Sequence, residues 1–131
     1  MGLITREKIK GAKDSTQKRV DVPEWEEDGY VFVKTISAFE RDQLDNTLFD
    51  FNPETGQVTR NAEDFRTKWV LRTACDEEGN LIFSQNDLEW LREKASKPIQ
   101  RIFDASQQLN GTNRREQENA EKNSETDHVS L

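Results

Sequence analysis

Cysteine and histidine, the residues most used for nucleophilic and metal chemistry, are almost absent from this sequence. Its 131 residues include one cysteine, Cys75, and one histidine, His128. A single cysteine cannot form an internal disulfide, and this pair cannot build a zinc site. The sequence also lacks a glycine-rich phosphate loop, a G-x-S-x-G elbow and an H-E-x-x-H zinc motif. We therefore predict a protein that is not an enzyme and that uses no metal or other cofactor.

Hydrophobic residues are also scarce, at 32% of the chain against 34% charged residues. No apolar run approaches the length of a membrane span and no signal peptide is visible, so we expect no membrane partner. The formal net charge of −7 disfavours binding to nucleic acid, because affinity for phosphate requires a basic surface. The length and composition predict one domain with a small core, together with a polar tail.

The first part of the sequence predicts a short helix followed by a β-hairpin. Thr5 is a suitable N-cap for the helix, which should end near Gly11. Polar and apolar residues alternate over 18–23, and 30–33 is rich in strand-forming residues. The acidic segment 26–29 contains glycine and is expected to form the turn between the two strands.

The middle of the sequence predicts two helices separated by a loop. Ser37 and Glu40 have the spacing of a capping box, and the helix that they begin should extend to about Phe49. Residues 52–56 predict a loop, after which Asn61 is expected to begin the next helix. That helix carries an apolar stripe, formed by Ala62, Phe65, Trp69, Val70 and Leu71.

The last predicted helix is the most regular. It begins at Ser96, has Pro98 in its first turn and ends at Asn110–Gly111, a favourable C-cap. One side of it follows a 3.6-residue period, through Ile99, Ile102, Phe103, Ser106 and Leu109. From residue 112 onward the chain is polar, which predicts a domain over 1–111 and a disordered tail over 112–131. The fold class is α+β and mainly helical: a small N-terminal hairpin packed with about four to five short helices.

The stretch CDEEGNLIFSQNDLEW, residues 75–90, could be a cation site because acidic residues crowd beside a thiol. A calcium loop that began at Asp76 would require glycine at its sixth position and glutamate at its twelfth. The sequence has Leu81 and Asp87 at those positions. Both decisive positions fail, so a cation-binding loop is the weaker interpretation.

A connector between two helices explains the same stretch better. Gly79–Asn80 predicts a chain reversal, and Ser84 predicts the cap of a following helix. Cys75 is then expected to be a buried residue at a helix end. Its acidic neighbours should raise the pKa of the thiol and make it a poor nucleophile.

The three tryptophans are the remaining candidates for a functional surface. Trp69 lies on the apolar stripe and is expected in the core, whereas Trp25 lies in the acidic hairpin turn. Trp90 lies off the apolar face of its short helix. Exposed aromatic side chains often mark a binding surface, so Trp25 and Trp90 are candidates for partner contact. The alternative is that both pack against the rim of a small core.

Four short segments, taken in order, are the most distinctive parts of the sequence. They are VPEW at Val22–Trp25, SAFER at Ser37–Arg41, CDEEGNLIF at Cys75–Phe83 and EKNS at Glu121–Ser124. In this order, and with the helices between them, they resemble the tail assembly chaperones of long-tailed, siphophage-type bacteriophages. The resemblance extends over about residues 3–125.

The resemblance implies a non-enzymatic role in virion assembly. Proteins of this family coat the tape-measure protein before the tail tube polymerises, and they leave as tube subunits add. Many are made in two lengths by a ribosomal frameshift, and the longer form recruits the major tail tube protein; this chain would be the shorter form. The resemblance thus implies those two proteins as partners, self-association into a homo-oligomer, location in the cytoplasm of the infected or lysogenic host and absence from the mature virion.

For partner contact we predict a set of apolar residues from the hairpin turn, the short helix and the last helix: Trp25, Trp90, Ile99, Ile102 and Phe103. Two other functions stay open at this point. A small acidic adaptor or DNA-mimicking inhibitor would use the acidic surface against a basic partner protein. A cation-responsive protein would use the acidic loop that follows Cys75.

Overall fold

The computed structural model of the protein describes residues 2–111. Within that range the chain forms five α-helices, one short 3₁₀ helix and five strands in two antiparallel sheets. The predicted α+β, mainly helical fold class is therefore confirmed. The predicted tail, 112–131, lies outside the described residues, and the EKNS segment lies within it.

The elements follow one another closely along the chain. The helices are α1 (Arg6–Gly11), α2 (Ala38–Leu48), α3 (Phe65–Thr73), α4 (Leu88–Leu91) and α5 (Ser96–Asn110). The strands are β1 (Gln17–Asp21), β2 (Tyr30–Lys34), β3 (Phe49–Phe51), β4 (Val58–Arg60) and β5 (Ala74–Cys75). The 3₁₀ helix, Gln85–Asp87, directly precedes α4.

The predicted N-terminal hairpin is confirmed, and it gains a third strand. β1 and β2 pair antiparallel, and the Val22 N–H donates to the Gly29 carbonyl at 2.9 Å inside the turn. β5 pairs with the other side of β2, so that Cys75 lies opposite Phe32. The expectation that Cys75 ends a helix is wrong, because α3 stops at Thr73 and the chain passes directly into this strand.

A second small sheet was not predicted. β3 and β4 form a hairpin immediately after α2, and the predicted loop at 52–56 connects them. Phe49 therefore belongs to a strand and not to the end of the helix. Each strand has three residues, which is too short for a period-2 pattern to stand out from the sequence.

The beginning of α3 also differs from its prediction. Asn61 does not cap the helix; its side chain accepts the Glu63 N–H at 3.1 Å in a turn before it. The N-cap is Asp64, in a left-handed conformation with φ of 59° and no side-chain capping bond. The reason is tertiary, because the Asp64 carboxylate accepts hydrogen bonds from Arg92.

Three further helix ends are as predicted, whereas at the start of α5 the N-cap is Ala95 and Ser96 makes no side-chain capping bond. Thr5 accepts the Lys8 N–H at 3.3 Å. At the start of α2 the Ser37 hydroxyl accepts the Glu40 N–H and the Glu40 carboxylate accepts the Ser37 N–H, both at 3.1 Å. Gly111 ends α5 with a φ of 78°, a conformation that glycine adopts without steric cost.

The core consists of two apolar clusters. The larger one joins the three-stranded sheet to α3, α4 and α5, and contains Val20, Val22, Val33, Val70, Leu71, Ala74, Leu91, Ile99, Ile102 and Ala105. The smaller one joins α2 to α3, and contains Leu44, Leu48, Phe65 and Trp69. Phe103 of α5 packs against both clusters and so links them.

A line of polar side chains fixes α5 against its neighbours. The buried hydroxyls of Thr73 in α3 and Ser106 in α5 lie 2.5 Å apart. One turn further on, Asn110 accepts the Ile36 N–H at 3.0 Å and donates to the Ser106 carbonyl at 2.9 Å and the Lys34 carbonyl at 3.4 Å. Two of these bonds satisfy half-buried backbone groups where β2 ends, the Lys34 carbonyl and the Ile36 N–H.

Replacement of Asn110 should therefore destabilise the domain. Asn110→Ala is expected to lower the free energy of unfolding by about 1–3 kcal/mol, because the Ile36 N–H loses its acceptor. Urea unfolding followed by circular dichroism measures the change. Asn46→Ala makes the same change at an exposed position of α2, and it should stay within about 0.5 kcal/mol. An equal loss in both variants would contradict the proposed role of Asn110.

Candidate interaction surfaces

Two of the five predicted contact residues lie inside the core. Ile99 and Ile102 of α5 are 5% and 0% exposed and pack in the larger cluster. The apolar residues that repeat every 3.6 positions along α5 form the face of the helix that is buried in the core, and not a binding face. A partner could contact these two side chains only if α5 separated from the sheet and α3, so their role in the folded chain is to hold α5 in place.

Trp25 and Phe103 lie at the margin of the core. Both are half-buried and pack against the larger cluster, and the rings of Phe103 and Phe65 meet edge to face at 6.0 Å. For Trp25 this is the rim packing that the sequence left as an alternative. The accessible parts of the two rings remain available to a partner.

The turn that carries Trp25 is fastened to α5 by an ion pair. Arg101 donates to both carboxylate oxygens of Glu24, at 2.8 and 2.7 Å, and also to the Asp21 carbonyl at 3.0 Å. These hydrogen bonds from Arg101 lower the pKa of Glu24 from 4.5 to about 2. The position of Trp25 thus depends on a charged contact as well as on burial.

Trp90 is the predicted contact residue with the most exposed side chain, at 47%. Its indole N–H donates to the Asp87 carboxylate at 2.9 Å, and its ring meets Phe83 at 5.9 Å. Asp87 also accepts the Ser84 N–H at 2.8 Å, in the cap that the sequence predicted. The hydrogen bond from the Ser84 N–H lowers the pKa of Asp87 most, and the bond from Trp90 lowers it further. Trp90 is therefore an exposed aromatic ring in a fixed orientation, which reduces the entropy lost on binding.

Sequence reasoning missed two groups of exposed apolar side chains. Leu81 and Ile82, at 42% and 46% exposure, lie in the segment that leads to the 3₁₀ helix and α4. Phe51 and Val58, at 65% and 61%, lie on the β3–β4 hairpin. The alternation of Phe49, Asp50 and Phe51 was the signal for the second group, but it covers only three residues.

The acidic loop after Cys75 is a turn, as its glycine indicated. One oxygen of the Asp76 carboxylate accepts the N–H groups of Glu78 at 2.9 Å and Asn80 at 3.0 Å. These backbone bonds, that of Asn80 first, lower the pKa of Asp76. Gly79 has a φ of 88°, which explains why glycine stands there. The chain then returns to pair Leu81 with Cys75.

Cys75 lies fully buried in β5. Burial is the main reason that the pKa of its thiol is raised; the Asp76 carboxylate adds to the effect, and Lys34 opposes it. The expected direction is thus confirmed, while its main cause is burial and not the acidic neighbours. A protonated thiol without solvent access is a weak nucleophile.

Neither a metal site nor a membrane-spanning helix is found in residues 2–111. No group of three or more His, Cys, Asp or Glu side chains in that range is arranged to hold a metal ion. None of the helices in the same range is long and apolar enough to cross a bilayer.

Comparison with solved structures finds a related architecture. The chain is similar to the bacteriophage HK97 tail assembly chaperone, with a TM-score of 0.52 and 21% sequence identity, over 79% of this chain and 94% of that chain. The two proteins share a fold. No protein-family model and no curated protein sequence matches the chain. The resemblance to tail assembly chaperones that the sequence indicated is therefore confirmed at the level of the fold.

The ion pair between Glu24 and Arg101 should make the stability of the fold depend on pH. Because the pKa of Glu24 is lowered from 4.5 to about 2 on folding, the ion pair stabilises the domain above pH 4.5, and this contribution is lost as the pH falls toward 2. The melting temperature of the wild type should exceed that of Glu24→Gln at about pH 6, and the difference should disappear near pH 2.

Glu27→Gln provides the control for this measurement. It removes a carboxylate from the same turn, and Glu27 forms no ion pair with any described residue. Its melting temperature should follow that of the wild type at every pH. A difference for Glu24→Gln that does not change between the two pH values would contradict the assignment.

The burial of Cys75 should protect it from thiol reagents. Reaction with Ellman's reagent is expected to proceed only as fast as the native protein opens, and to be complete at once in urea. An exposed thiol, Ser15→Cys in a Cys75→Ala background, should react about 100-fold faster in the native state. Equal native rates would show that Cys75 is accessible.

Proposed function

We propose that this protein is a tail assembly chaperone of a long-tailed bacteriophage and acts through protein–protein contact, not catalysis. The shared fold, which covers 94% of the HK97 tail assembly chaperone, is the observation that carries the proposal. The absence of a reactive thiol supports it, since burial raises the pKa of Cys75. So does the use of the carboxylates of Asp76 and Asp87 for turns and caps.

We propose the tape-measure protein as the main partner, which this chain would bind and keep soluble until the tail tube forms. A net charge of −7 favours solubility and limits the protein's own aggregation. The exposed ring of Trp90, with the accessible edges of Trp25 and Phe103, would supply the apolar contact. Ile99 and Ile102 would act indirectly, because they hold α5 in position.

The remaining roles follow from the same proposal. The protein would self-associate while it covers a long partner, and a longer, frameshifted form would recruit the major tail tube protein. It would work in the cytoplasm of the infected or lysogenic host and be absent from the mature virion. None of these steps requires a cofactor.

Co-expression tests this function. The tape-measure protein of the same phage should be insoluble when produced alone and soluble when produced with this chain, and the two should co-purify. Trp90→Ala should reduce the soluble fraction, because the exposed ring is lost while the core is unchanged. Light scattering of the same samples measures whether the mass of the free oligomer also falls.

A second aromatic residue provides the control. Phe39 of α2 is 70% exposed, so Phe39→Ala removes an aromatic ring from another surface, and it should leave solubility unchanged. An insoluble tape-measure protein in the presence of the wild-type chain would contradict the proposal. Capture of a basic enzyme in its place would favour an acidic inhibitor, the alternative left open by the sequence.

A further inference from the structure

A groove of about 750 Å³ lies between the first turns of α3 and α5 and the segment that joins α4 to α5. Its charged side chains are mostly basic, in contrast to the net charge of −7 of the whole chain. Five are cationic: Arg66, Arg92, Lys94, Lys97 and Arg101. Two are anionic: Asp64 and Asp104. We call this site the basic groove.

Two of the five cations already have partners. Arg92 donates to the Asp64 carboxylate, and Arg101 donates to Glu24 beside the groove. Both pairs fix a basic side chain in place and neutralise most of its charge.

The other three cations remain available. Arg66 and Lys97 form no ion pair with any described residue, and the Lys94 ammonium lies 5.9 Å from the centre of the Trp90 ring. The remaining acid of the groove, Asp104, accepts a hydrogen bond from Gln100 at 2.7 Å. Three cations without an ion pair thus stand against one such carboxylate, Asp104, among the residues that line the groove, and the exposed ring of Trp90 lies beside them.

The placement of Arg66 and Lys97 adds to this excess. Each lies in the first turn of its helix, and neither α3 nor α5 has an acidic residue in that turn or a side-chain capping bond. Acidic groups are favoured at this end of a helix and basic groups are not. The N-cap of α3, Asp64, is acidic, but its carboxylate is engaged by Arg92. Carboxylates from outside would therefore offset both cations.

We propose that the basic groove binds a short acidic segment of a partner protein, in which an apolar side chain packs on Trp90 while carboxylates pair with Arg66, Lys94 and Lys97. A peptide suits the site better than nucleic acid does. Glu24, Glu63 and Glu93 surround the basic groove, so a ligand must carry its negative charges only where Arg66, Lys94 and Lys97 lie. The evenly charged backbone of nucleic acid would also meet the three glutamates. This inference does not depend on the phage-tail function, because it rests on the charges of the groove itself.

Fluorescence anisotropy with a labelled peptide tests the proposal. The probe is a peptide of about eight residues, long enough to span the groove, with three Glu or Asp residues grouped beside one Leu and neutral residues at both ends. The full-length chain should bind it at low salt, and the affinity should fall as salt is added. The double variant Arg66→Gln/Lys97→Gln should bind roughly tenfold more weakly, since it loses charge-assisted hydrogen bonds. Trp90→Ala should weaken binding of this peptide but not of the same peptide without Leu.

A charge-matched variant separates the groove from general attraction. Lys10→Gln/Lys13→Gln removes the same charge from the exposed N-terminal segment, and it should leave the affinity within about twofold. Melting curves of all variants establish that each one is folded. No binding to the wild type, or equal weakening in both double variants, would overturn the proposal. So would tighter binding of single-stranded DNA of equal charge, or a concentration-dependent dimer, lost in Arg66→Gln/Lys97→Gln, that excludes the peptide.

Discussion

The packing of α5 against the sheet and α3 is the contact on which the rest of the structure depends. Ile102 is fully buried in that contact, and the Thr73–Ser106 pair and Asn110 fix the helix along its axis. Because Phe103 also packs on the α2–α3 cluster, α5 joins the two halves of a small core. A chain with few hydrophobic residues obtains one continuous interior in this way.

The same helix determines where the surface features lie. Its first turn forms one wall of the basic groove, and Arg101 in the next turn anchors the hairpin turn that carries Trp25. Apolar and charged surfaces are thus placed by one element that is rigid because its other face is buried. Substitutions in α5 can therefore affect the packing of the core on one face of the helix and the surface contacts on the other. A contact surface built on such a helix is already ordered before a partner arrives.

Features that depend on neighbours in sequence were predictable, and features that depend on distant residues were not. The capping box at Ser37 and the glycine at 111 are local, and both are present in the structure. β5 exists only because β2 lies beside it. The Asp64 carboxylate binds Arg92, which is distant in sequence, and makes no capping bond to α3. Periodicity correctly gave α5 an apolar face but could not show that the core covers Ile99 and Ile102.

The candidate sites follow the same division. Trp90 could be named from the sequence because it lies off the apolar face that Leu88 and Leu91 form on its short helix. The basic groove could not be predicted from the sequence, because the net charge of the whole chain is negative and does not show where cations cluster on the surface. Its cations come from α3, from the segment between α4 and α5 and from α5 itself, and only the fold brings them together.

The edges of the three-stranded sheet affect how a partner can bind. Its outer strand β5 has only two residues, and the opposite outer strand, β1, carries Lys18, Arg19 and Asp21 and is followed by Pro23. Short strands, charged residues and proline all discourage the addition of another chain to a sheet edge. Both edges of this sheet are thereby protected from edge-to-edge aggregation. At this sheet a partner is therefore bound more readily by side chains than by backbone hydrogen bonds to an added strand.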